Sequence, residues 1–173
     1  YRSHSGLHNL ISFLIFNFSM ILFILVGISF LFIPKLFKDD ILSFTISIIG
    51  SVFLFLGTFF FAGVGLTPYD LYLDEHIFFA LNAFRLLVPG LVLYFFVLMR
   101  SNVNKKYLIM IFILLFFTLS YVVYQIVSDS PLTSIEQMVE QAIIQKIITF
   151  VNIVCMFFLS FAFSERLKVI KLI

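Results

Sequence analysis

The chain predicts an all-α, polytopic membrane bundle, and three observations predict it. Apolar residues make up 62% of the sequence against 12% charged, with a mean hydropathy of +1.17, more than a soluble domain carries without exposing large apolar patches. Five apolar runs are each long enough to cross a hydrocarbon core of about 30 Å at about 1.5 Å of helical rise per residue. The lysines and arginines between those runs then fall on alternate connections, as they do when spans are real.

The runs follow in order. After the polar segment YRSHSGLHN, the first extends from Leu10 to Pro34 and stops at KLFKDD. The second, Leu42 to Leu66, carries Ser43, Ser47 and Ser51 at helical spacing together with Gly50 and Gly57. Small residues let neighbouring backbones approach closely in lipid, so this helix is expected at the centre of the bundle. Pro68 and three acids make Thr67 to Glu75 a turn before the third run, His76 to Met99. The fourth, Tyr107 to Val127, places Thr118, Tyr121 and Gln125 on one face. In SDSPLTSIEQMVE the Ser130-Pro131 pair is a breaker, and a short amphipathic stretch lying along the interface is expected after it. The fifth run, Gln141 to Phe163, leads into the basic tail SERLKVIKLI. No separate soluble domain fits into a single transmembrane domain of 173 residues.

Lys35, Lys38, Arg100, Lys105, Lys106, Arg166, Lys168 and Lys171 collect on one side. Asp70, Asp74, Glu75, Asp129, Glu136 and Glu140 take the other, where Arg2 is the basic residue. The bias of lysine and arginine toward the cytoplasm places the carboxyl terminus inside and Tyr1 outside, and one more helix ahead of Tyr1 would make the bundle even-numbered. The lone cysteine, Cys155, excludes an intrachain disulfide.

Candidate chemistry concentrates in GLTPYDLYLDEHIFFALNAFRLLVP, between Gly65 and Pro89. Arg85 lies nine residues into the third run, about 13 Å deep at helical rise. A guanidinium at such depth costs about 3 kcal/mol on insertion scales unless it meets a partner or water, which makes it a functional candidate. Asn82 and Pro89 share its face, and Pro89-Gly90 can free a carbonyl. In the fifth run Gln141, Gln145, Thr149 and Asn152 form a polar stripe. Together these predict an outward-opening pocket between the third and fifth helices, floored by Arg85 and suited to an anionic head group. The alternative is an arginine held by Asn, Gln and backbone oxygens that fixes helix packing. His4, His8 and His76 fall on the acidic side with Asp70, Asp74 and Glu75, which permits a metal site or an acid/base pair such as His76 with Asp74. Against this stands the ordinary role of His and Asp at membrane interfaces. The sequence contains no cofactor motif, nucleophile elbow or phosphate loop, and its few basic residues give no support for nucleic-acid binding.

SHSGLHNLISFLIFNFSMILFILVGISFLF, IGSVFLFLGTFFFAGVGLTPYD and DEHIFFALNAF resemble an uncharacterised prokaryotic six-span membrane family distantly similar to FRAG/DRAM-type proteins. The positions carrying the resemblance are Phe16, Asn17, Gly57, Pro68, Asp70 and His76, in the first half of the chain. It implies a helix ahead of Tyr1 and no established enzymatic activity, and it keeps a lipid-facing role open. TPYD departs from the family pattern, and Arg85 has no place in it.

The reading is a non-enzymatic integral membrane protein, a complex subunit or lipid-binding scaffold, with membrane lipids and other membrane subunits as partners. One alternative is a membrane enzyme acting on lipid head groups with His76, Asp74 and Arg85. A small transporter is the other, disfavoured because the runs contain no carboxylate for proton coupling and no inverted repeat.

Overall fold

The computed structural model describes residues 10–128 and 134–171, with side chains as far as residue 168, and the described residues contain helix and no strand. α1 (Leu10–Phe30) is apolar all round and ends in a 3-10 turn, Ile33–Phe37, that has Pro34 in its first positions, where a missing N–H costs nothing. α2 (Ile41–Leu66) starts at Asp40, whose carboxylate accepts the Leu42 N–H at 3.2 Å. α3 (Leu73–Arg100) carries Asp74 and Glu75 in its first turn, where the helix dipole favours them, and passes through Pro89. α4 (Lys105–Val127) is capped by Asn104, which accepts the Lys106 N–H at 3.0 Å.

α5 (Ile135–Lys171) departs from the expected parse. The Ser134 hydroxyl accepts the Gln137 N–H at 3.2 Å and starts the helix there, so Ile135 to Glu140 form its first turns and not a separate interfacial segment. No Gly or Pro interrupts the chain between Ile135 and Gln141, and helix propagation needs none of the cost of a new start. Residues 129–133, with the expected Ser130-Pro131 breaker, lie outside the described residues.

Five helices are long and apolar enough to cross a membrane, as expected of an integral membrane protein. The small residues of α2 do bring neighbours close: it packs against α1 on one side and α3 on the other, while α4 and α5 follow in sequence beyond α3, so α2 is the second helix of the row and not its centre. Ser43, Ser47, Gly50, Ser51, Gly57 and Thr58 are all buried. At Gly57 a Cβ would stand 2.8 Å from Leu87 Cδ2 and 3.2 Å from the Ala83 carbonyl oxygen, so α2 and α3 meet there only because the side chain is absent. Gly27 of α1 is equally confined by Thr58, whose hydroxyl fills the place a Cβ would take. Where hydroxyls sit inside the bundle, Thr58, Ser47 and Thr149 return their hydrogens to carbonyls of their own helices.

One hydroxyl does more. Ser51 donates to the carbonyl of Phe30 at 2.7 Å, a group in the last turn of α1 without a helical donor, and stands 2.6 Å from the Tyr94 hydroxyl of α3. Serine has a single hydrogen and gives it to Phe30, so Tyr94 is the donor in the second bond. Three helices are thereby joined at one buried point. Replacing Ser51 by Ala should strand both the Phe30 carbonyl and the Tyr94 hydroxyl and cost about 1–3 kcal/mol, read as a lowered unfolding midpoint in detergent. Tyr94→Phe should then cost much less in the Ser51→Ala background than in the wild type.

Candidate functional site

The two polar features expected to face one another do not form one pocket. Arg85 is exposed on α3, and the backbones of α3 and α5 do not approach each other. Asn82 is half-buried and donates its amide to the Phe78 carbonyl of its own helix at 2.8 Å. The helical wheel did place Asn82, Arg85 and Pro89 together; the face they share turns away from α2, alongside the exposed rings of Phe78 and Phe96.

What lies between the helices is a mostly apolar cavity of about 250 Å³. α1 contributes Met20, Phe23, Val26 and Phe30 to its wall, and α2 contributes Leu54, Thr58 and Phe61. α3 adds Phe84, Leu87 and Leu91, α4 adds Leu114, and α5 adds Thr149, Asn152, Ile153 and Met156. Of the predicted polar stripe, Thr149 and Asn152 reach this wall while Gln141 and Gln145 lie outside it. The lining polar groups are already engaged: Thr58 with the Phe55 carbonyl at 2.7 Å, Thr149 with Gln145 at 2.8 Å, and Asn152 with Ile148 at 2.9 Å. The wall therefore holds no charged group, and Asn152 keeps only its second amide hydrogen and its carbonyl oxygen, too little to hold an ionic ligand. A string of rings bounds one side, from Phe23 to Phe61 at 5.3 Å, to Phe84 at 4.9 Å and to Tyr121 at 4.6 Å between centroids.

His76 sits at the acid-rich end, and its Nδ1 lies 2.6 Å from the carbonyl oxygen of Thr67, the residue that closes α2. A carbonyl only accepts, so Nδ1 carries the hydrogen, and the ring acts as a clip between the start of α3 and the end of α2. Tyr69 stacks edge-on to it at 6.0 Å. Asp74 is exposed, and among the described residues no group of three His, Cys, Asp or Glu side chains is placed to hold a metal. His4 and His8 lie outside the described residues.

The charge cluster that sequence reasoning did not single out is at the opposite end. Asp39 pairs with Arg166 of α5, which is only 8% exposed and also donates Nε to the Leu36 carbonyl at 3.1 Å. Asp40 pairs with Arg100 of α3 at 3.0 Å and accepts the Ser43 hydroxyl at 2.6 Å. Lys106 and Glu165 join α4 to α5 at 3.5 Å, with the Tyr107 hydroxyl also donating to Glu165. The adjacent Asp-Asp pair, ahead of a small-residue helix and with arginines closing two later spans, was the available signal.

No known protein family, curated protein or solved structure matches this chain.

The arginine hydrogen bond to Asp39 holds its carboxyl below the usual aspartate range, and the Ser43 hydroxyl followed by Arg100 does the same for Asp40. Carboxyls depressed in the folded state contribute stability above their unfolded pKa of about 3.9, and lose it as pH falls through the lower folded value. The unfolding midpoint in detergent should drop between pH 6 and pH 3. Asp39→Asn combined with Asp40→Asn should start lower at pH 6 and drop less; an undiminished drop in that variant would place the pH sensitivity elsewhere.

Proposed function

We propose that the chain is a non-enzymatic membrane scaffold that seats an apolar chain from the bilayer in the cavity between α1, α2, α3 and α5. The observation that carries this reading is the cavity wall itself: hydrocarbon and aromatic rings with no charged group, and three polar side chains that each bond back to their own helix. An apolar cavity of about 150 Å³ stays dry and binds benzene, and this one, at about 250 Å³, is larger. α1 and α5 flank it without backbone approach, which makes their gap the route of entry from lipid. The commitment of His76 Nδ1 to the Thr67 carbonyl favours this reading over a head-group enzyme built on His76 and Asp74. A prokaryotic cell membrane is part of this proposal, and the lysine distribution supports a cytoplasmic carboxyl terminus.

A second reading, in which the chain is also a subunit of a membrane assembly, is favoured by the outward placement of Arg85.

The chain has no tryptophan, so Phe84→Trp installs a unique reporter in the cavity wall. In vesicles of lipids brominated along the acyl chain, its fluorescence should be quenched as in a lipid-facing Phe116→Trp control. Adding Met156→Phe, which fills the cavity, should relieve the quenching. A Phe84→Trp reporter that bromine never reaches would overturn the proposal.

A further inference from the structure

Arg85 lies nine residues beyond His76 and fifteen before Arg100, about 13 Å and about 22 Å along α3 from the two charged ends. Its side chain is exposed, and among the described residues it has no ion-pair or hydrogen-bond partner. The same turn leaves a second group wanting. Pro89 has no N–H to give the carbonyl four residues back, which is that of Arg85 itself. Beside them, Asn82 uses one amide hydrogen on Phe78 and has an acceptor oxygen to spare. A cation, a carbonyl deprived of its donor and an amide thus share one face near the middle of an apolar helix long enough to cross a membrane, framed by Phe78 and Phe96.

Lipid tails satisfy none of these groups, and the chain supplies no anion at that depth. All nine of its acids fall in connections or toward helix ends, and α2 and α4, the helices beside α3, carry none in their spans. A second copy would bring the same deficit.

We infer that the outward face of α3 around Arg85 docks a transmembrane helix of a different chain, and that this helix carries a carboxylate near its midpoint. The guanidinium takes the carboxylate in a two-pronged pair, the arrangement Arg forms best when desolvated. Asn82 adds a side-chain bond of the kind that joins helices in lipid. The inference rests on the subunit reading and is independent of the cavity.

The test uses the full chain reconstituted in zwitterionic vesicles with two synthetic probes, a leucine–alanine transmembrane peptide bearing one central Asp and its twin with Leu there, and follows association by energy transfer. The Asp peptide should bind the wild type about tenfold more tightly than its twin, and Arg85→Leu should abolish that preference while leaving the unfolding midpoint equal or raised. Equal binding of both peptides would overturn the carboxylate while leaving a docking face; binding of neither would overturn the subunit reading with it. If Arg85→Leu instead changes only the amount of anionic lipid retained on purification, head groups serve the guanidinium and the inference fails.

Discussion

Without water to expel from between them, helices in a bilayer are held by how closely their backbones approach and by the polar bonds that this closeness permits. In this chain both depend on α2. Its buried Ser, Gly and Thr residues bring α1 and α3 near enough for Ser51 to reach the last turn of one helix and the Tyr94 hydroxyl of the other. α4 and α5 are then added beyond α3, and they need not touch α2. The cavity follows from this arrangement. A row of helices that curls without bringing α1 against α5 leaves an apolar hollow facing the gap.

The two ends of the bundle are fastened differently. At the lysine-rich end Asp39 and Asp40 reach Arg166 and Arg100, so the connection between α1 and α2 binds the far ends of α3 and α5. At the acid-rich end His76 ties the top of α3 to the end of α2 by one bond to Thr67. The side of the cavity where α1 and α5 stand apart has no such fastening through backbone approach. That asymmetry suits a hollow filled from the side by lipid.

Much of this was legible because lipid restricts what a sequence can do. A run of Phe, Ile and Leu with no water nearby must be helical to satisfy its backbone, and this gave the number of spans and their approximate limits. The repeated small residues of α2 pointed to its close packing with a neighbour on either side, since small side chains let helix backbones approach in lipid. Less accessible was the direction of each face. A wheel groups Asn82, Arg85 and Pro89 but cannot say which neighbour they meet, and the expected pocket with Arg85 as its floor depended on that. Thr149 and Asn152 were found because polar groups stand out in a greasy helix, whereas the Phe and Leu residues forming most of the cavity wall are indistinguishable from those that face lipid. Long-range pairs such as Asp39 with Arg166 and Ser51 with Tyr94 are invisible to periodicity, because a local pattern can mark a residue but not the distant partner it meets.

The dependence of the bundle on α2 can be measured by unfolding midpoints in detergent across two substitution series. Gly57→Ala, Gly57→Val and Gly57→Leu enlarge the side chain where α2 meets α3, and Phe59→Ala, Phe59→Val and Phe59→Leu alter an exposed position on the same helix. Stability should fall stepwise with volume at 57 and stay nearly level at 59. A series at 57 as level as that at 59 would contradict the account.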